Sequence, residues 1–128
     1  MTRIVIDSSA LLAVLLDEAD ASRCEEALLS ATSLLISAVT LAEAEIVANH
    51  RGIRPRLQQF IAQLKPEVAP VTAHDAHLVA DVYARWGKGW HPAALNFADC
   101  FAYVLAKSEG CPLLFVGNDF ARTDVLSA

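Results

Sequence analysis

The sequence predicts an α/β fold in which a central parallel β-sheet is flanked by helices on both faces. Three observations carry this. Residues 2–6, a β-branched run, and residues 34–37 and 113–116 are short, mainly apolar runs with no alternation of polar and apolar positions. Strands of that kind are buried on both faces, as in parallel sheets. Between the runs lie longer segments with helical spacing, the arrangement expected of helices crossing over a parallel sheet.

Each element has a local reason. The strand at residues 2–6 ends at Asp7, and Ser8 or Ser9 can cap a helix over 10–16. A second helix covers 20–30, with Ala21, Cys24, Leu28 and Leu29 near one face. After the strand at 34–37, helical spacing returns from Leu41 to His50, and Thr40-Leu41-Ala42-Glu43 matches a capping box. Gly52 and Pro55 break the chain. Leu57, Phe60, Ile61 and Leu64 then follow the i, i+3, i+4, i+7 pattern of an amphipathic helix, closed by Pro66 and Pro70. Thr72 caps a helix reaching Trp86, with Ala76, Val79, Ala80 and Tyr83 as its stripe. Gly87-Lys88-Gly89 is a loop. An apolar helix follows over 95–107, ended by Gly110 and Pro112, and Gly117-Asn118-Asp119 turns the chain after the last strand.

The 128 residues suit one domain, 1–128, with a deep core, since 55% are hydrophobic. The longest apolar region, 34–48, is interrupted by Ser37, Thr40, Glu43 and Glu45, so no membrane span is expected. The N-terminal apolar run is too short for a signal peptide, which points to a cytoplasmic protein. Cys24, Cys100 and Cys111 are odd in number and widely spaced, which fits buried thiols rather than disulfides or a zinc ribbon. His74 and His77 stand three apart without a further Cys or His beside them, so surface or capping roles are expected. His91 precedes Pro92 in the loop before the last long helix.

The chemistry lies in the acids. In open parallel sheets, ligands bind beyond the carboxyl ends of the strands. Asp7 leaves the first strand at such an edge; its position fits a site carboxylate and a helix cap equally. Asp119 stands in the corresponding place after the last strand, with Asp124 as a weaker candidate. Asp99 is read as lying inside an apolar helix, where a charge is costly unless paired or bound to a cation. Lys107 or Arg85 would be the pairing partners, and Asn96 shares its face. Glu43 serves either the capping box or the same sheet edge, and Glu45 points elsewhere. Several acids gathered at one edge repel one another unless a hard cation sits among them. The formal net charge of −5 offers no basic surface for a nucleic acid. Divalent cations at the acids would locally invert that field.

Three stretches in this order resemble the PIN domain, and within it the VapC toxins of bacterial toxin–antitoxin pairs. They are Ile4-Val5-Ile6-Asp7-Ser8-Ser9-Ala10-Leu11, then Ile36-Ser37-Ala38-Val39-Thr40-Leu41-Ala42-Glu43, and most specifically the stretch from His91 through Asn96-Phe97-Ala98-Asp99-Cys100, Tyr103 and Ala106 to Phe120. The resemblance implies a PIN-like fold and a Mg2+- or Mn2+-dependent endoribonuclease acting on tRNA or rRNA. It implies Asp7 and Asp99 as principal metal ligands, Glu43 and Asp119 as the other two acids, and Ser8 or Asn96 as supporting polar groups. It further implies a homodimer and a VapB-type antitoxin that places basic side chains near the acids. The stripe of Leu57, Phe60, Ile61 and Leu64, or that of Val79 and Tyr83, is either a dimer face or core. Two other readings compete. A haloacid dehalogenase-like phosphatase would need a second Asp where Ser9 stands. A PIN-like module that only binds a partner would not need all four acids.

Overall fold

The computed structural model describes residues 2–128, and Met1 lies outside the described residues. In chain order the elements are β1 (Arg3–Ile6), α1 (Ser8–Leu15), α2 (Ala21–Ser30), β2 (Ser33–Ser37), α3 (Ala38–His50) and α4 (Arg54–Leu64). There follow β3 (Glu67–Ala69), α5 (Ala73–Trp86), α6 (Phe97–Glu109), β4 (Leu113–Leu114) and a 3-10 turn over Phe120–Arg122. The strands form one sheet in the order β3-β2-β1-β4, and every pairing is parallel.

Successive side chains of a strand point to opposite faces, and the core divides accordingly. Val5, Leu35 and Leu113 pack with α5 and α6 through Val79, Phe101 and Val104. Ile4, Ile6, Leu34, Ile36 and Leu114 face the other way, against Ala10, Cys24, Ala44 and Leu57 of α1 to α4. Both faces are covered, which is why the strands read as unbroken apolar runs. Leu57, Phe60, Ile61, Leu64 and Val79 all pack into these two cores. The three cysteines are buried and free. Among the described residues no helix is long and apolar enough to cross a membrane.

Four local expectations are corrected. Asp7, as its capping alternative allows, and not Ser8 or Ser9, caps α1: its carboxylate accepts the Ser9 amide, and the helix starts at Ser8, not at residue 10. Ser37 caps α3, so that helix starts well before Leu41 and no capping box forms at Thr40. Thr40 is instead buried inside the first turns, and its hydroxyl has no partner. Asp99 is not in a helix interior. Leu95 is bridged to Gly87 instead of joining the helix, and Asn96 caps α6 in a reciprocal capping box with Asp99. Finally, β3 was not expected, because Pro66 and Pro70 bracket it. It is a three-residue edge strand, where flanking prolines cost no ladder bond.

The chain passes from β1 to β2 and β3 on one side and returns to β4 on the other. The direction of winding therefore reverses between β1 and β4. In such sheets this reversal opens a crevice at the carboxyl ends, and Asp7 stands there.

Candidate active site

Asp7 is 3% exposed. Its Oδ2 accepts the Ser9 amide at 3.1 Å and the Ser9 hydroxyl at 2.6 Å. The Ser9 hydroxyl in turn accepts the Val116 amide at 3.0 Å, just past β4, and so ties the two sides of the crevice together. Asp7 Oδ1 is buried and has no partner. Burial pushes the Asp7 carboxyl up from its ordinary range; the Ser9 hydrogen bonds work against this, and the charge of Glu43 adds to it.

Glu43 reaches the site from α3. It accepts the Ser8 hydroxyl at 2.7 Å, which links α3 to the first turn of α1. Glu45 is drawn away to Arg54 and Gln58. Asp99 enters from the first turn of α6. Its Oδ2 accepts the Asn96 amide at 2.9 Å while its own amide donates to Asn96 Oδ1 at 2.8 Å. Asn96 thus supports Asp99 through its backbone, and its side chain is spent on the helix cap. The Asp99 carboxyl is pushed up to about 7, chiefly by burial. The Asn96 hydrogen bond opposes the rise, and the charges of Asp7, Glu43 and Asp119 reinforce it. Asp99 forms no ion pair with Lys107 or Arg85.

Asp119 is exposed at the mouth of the crevice, close enough for its charge to act on Asp99. Asp124 is committed elsewhere. It accepts the Tyr103 hydroxyl and lies 3.4 Å from Lys107 Nζ, and these contacts hold its carboxyl below the usual range. The structure therefore gathers Asp7, Glu43, Asp99 and Asp119 with Ser8 and Asn96, and leaves out Asp124. It adds Ser9, whose role as the partner of Asp7 was not read from sequence. The signal was present: a hydroxyl two residues past a helix-capping Asp can reach back to it.

This donor set fits a hard divalent cation. All the donors are carboxylate oxygens, as Mg2+ and Mn2+ prefer. A buried carboxylate oxygen without a partner is otherwise a net cost. Among the described residues no three His, Cys, Asp or Glu side chains converge tightly enough to enclose an ion by themselves. Mg2+ in particular keeps several water ligands and is held through one or two carboxylates.

Comparison with known proteins places the chain as a whole. The PIN domain family model matches residues 4–126. A VapC ribonuclease of Mycobacterium bovis, Mb0640, is 40% identical over 94% of this chain and 95% of its own. Ribonuclease VapC28 of Mycobacterium tuberculosis is also 40% identical, over 97% and 96%. Among solved structures, VapC20 of Mycobacterium tuberculosis, a sarcin–ricin loop cleaving toxin, superposes with a TM-score of 0.80 at 15% identity, covering 98% of both chains. A toxin–antitoxin complex from Klebsiella pneumoniae gives 0.75 at 15% identity, over 98% of this chain and 96% of the other. At those identities the two structures speak for the fold. With the family match spanning nearly all of the sequence, the chain belongs to the PIN-domain family, in its VapC ribonuclease branch.

Proposed function

We propose that the chain is the toxin of a VapBC-type pair, an endoribonuclease that hydrolyses RNA phosphodiester bonds at the Asp7, Glu43, Asp99 and Asp119 cluster. One observation carries the reading: a buried carboxylate oxygen of Asp7 is left without a partner at the crevice between β1 and β4. The neighbouring Asp99 carboxyl is pushed up to about 7. A fold that keeps so costly a group uses it.

Asp7 and Asp99 would hold Mg2+ or Mn2+, with Glu43 and Asp119 completing the set. When bound, such an ion supplies charge neutralisation and Lewis-acid chemistry at a phosphodiester. The protein's own part is positioning. Ser9 fixes the Asp7 carboxylate, and Ser8 fixes Glu43. The Asn96 amide fixes Asp99 at the start of α6, where the helix dipole favours a negative group. Ser9 occupies the place of the second acid that a haloacid dehalogenase-like phosphatase needs, and its hydroxyl is already engaged, which counts against that reading.

The substrate would be tRNA or rRNA in the cytoplasm. The chain would act as a single domain, dimerise, and be silenced by a VapB-type antitoxin whose cationic side chains approach the same acids. The test uses the purified chain, end-labelled RNA, and added Mg2+ or Mn2+ against EDTA. Cleavage should need the ion and vanish in Asp7→Asn and Asp99→Asn. Undiminished cleavage by both folded variants overturns the assignment.

A further inference from the structure

The net charge of −5 leaves open how this surface meets a polyanion. The answer starts from the cations. Among the described residues, Arg3, Arg23, Arg54 and Lys107 are within ion-pair distance of a carboxylate. Of the remaining Lys and Arg residues, Arg85, Lys88 and Arg122 gather around one loop, the connection between α5 and α6 that leads directly into Asn96 and Asp99. Arg85 lies over the Trp86 ring at 4.6 Å, and Trp86 meets His91 edge-on at 4.6 Å. Arg122, just past Asp119, donates to the Pro92 carbonyl at 3.0 Å.

The loop is a built object. The Lys88 amide donates to the Leu95 carbonyl and the Leu95 amide to the Trp86 carbonyl, at 2.9 and 3.1 Å. The His91 amide donates to the Gly87 carbonyl, and His91 Nδ1 accepts the Ala93 amide at 2.9 Å. On this closed loop Trp90 is 71% exposed. Phe97, the first residue of α6 and two residues before Asp99, is 66% exposed and packs edge-on against Phe101 at 5.0 Å. A tryptophan in water on a rigid loop is an unusual use of the largest apolar side chain. Exposed aromatic rings among cations are what an unpaired nucleotide recognises: its base stacks on the ring and its phosphates meet the cations, with little dependence on sequence.

We propose that Trp90, with Lys88 and Arg122, forms a stacking subsite for an unpaired nucleotide flanking the bond that is cut. This rests on the ribonuclease reading and adds to it the residues that hold the RNA beside the scissile bond. Trp90 acts in specificity and binding and takes no part in bond breaking.

The test is binding of a fluorescein-labelled twelve-nucleotide oligouridylate to the full chain in EDTA, where no metal-dependent cleavage intervenes. Trp90→Ala should weaken binding roughly tenfold, and Trp90→Phe should restore most of it. Lys88→Ala should weaken binding and lower the slope of affinity against salt by about one. Circular dichroism should show all variants folded, since both residues are exposed. Binding by Trp90→Ala equal to that of the parent, or no binding by the parent, overturns the subsite; the exposed indole would then belong to a protein contact. The two readings separate cleanly. Trp90-dependent binding without any metal-dependent cleavage defeats the ribonuclease assignment and leaves Trp90 as a nucleotide-stacking site with no scissile bond beside it. Cleavage of RNA with binding indifferent to Trp90 does the reverse.

Discussion

The Ser9 hydroxyl donates to Asp7 Oδ2 at 2.6 Å while accepting the Val116 amide at 3.0 Å. One small side chain thereby orients the most buried acid of the molecule and joins the carboxyl ends of β1 and β4. Ser9→Ala would strand the Val116 amide and free the Asp7 carboxylate to turn. The expected cost is about 1–3 kcal/mol of stability, with a fall in cleavage larger than that loss explains. Because the Ser9 bonds hold the Asp7 carboxyl down against burial, the activity defect should deepen as pH falls. Ser9→Thr keeps the hydroxyl and should recover most of both properties. Urea unfolding and cleavage rates across pH check this.

Asp7→Asn and Asp99→Asn should separate function from stability. Burial raises both carboxyls, and the site's negative charges raise Asp99 further. Removing either charge relieves desolvation and repulsion. Each variant should melt at the parent's temperature or above it in EDTA, yet lose cleavage by roughly a hundredfold or more, the trade expected where a site is built against stability. A melting temperature well below the parent's in both would contradict this account.

Much of this was legible before the structure, and the exceptions have physical reasons. The buried strands announced themselves through uninterrupted runs such as Ile4-Val5-Ile6, and Thr72 marked the start of α5 as expected. Asp7, Glu43, Asp99 and Asp119 stand out in the sequence, and the argument for Asp99 is the one the structure corrects. The sequence reads Asp99 as a charge inside a helix, but it sits in the first turn, in a box with Asn96. What makes it costly is burial beside other acids, a tertiary fact that helical position does not encode. Glu43 was obscured for the opposite reason. Thr40 and Glu43 have the spacing of a cap, while the cap is Ser37, and only the fold brings Ser8 to Glu43. Strand β3 was hidden by its flanking prolines.

The raised Asp99 carboxyl sets the direction of pH effects. Its folded pKa of about 7 stands above the ordinary value of 3.8. Between those values the folded chain binds more protons at this position than the unfolded chain. Stability from this group therefore declines as pH rises from about 4 to about 7. A divalent cation competes with that proton. Added Mn2+ should raise the melting temperature more at pH 8 than at pH 5.5, and Asp99→Asn should remove most of the difference. Calorimetry at the two pH values, with and without the ion, decides it.

Thr40 offers a test away from the chemistry. Its hydroxyl is fully buried without a hydrogen-bond partner. Thr40→Val replaces it with a methyl group of similar size. Where a buried polar group is unsatisfied, that exchange should stabilise, by about 1 kcal/mol. A loss of stability in denaturant unfolding would mean that the hydroxyl is satisfied in solution.

Gly87 connects the stability of the fold to the placement of Asp99. A Cβ built there would lie 2.3 Å from the Tyr83 carbonyl oxygen and 2.8 Å from Tyr83 Cγ. The nearest atom is helix backbone, so the chain itself has to shift. Gly87 is bridged to Leu95, and Leu95 precedes the Asn96 cap that holds Asp99. Gly87→Ala should therefore cost about 1–3 kcal/mol, as forced insertion of a methyl group does, and should also displace the loop and the carboxylate it delivers. Gly52→Ala is the matched control. That position has open space but φ of +72°, so alanine there costs about 1–2 kcal/mol through the backbone, in a turn between α3 and α4 that carries none of the four acids. Compared well below both melting temperatures, Gly87→Ala should lower kcat/KM for RNA cleavage severalfold, and Gly52→Ala should leave it unchanged. Equal activity in the two variants would show that the loop's geometry does not govern Asp99.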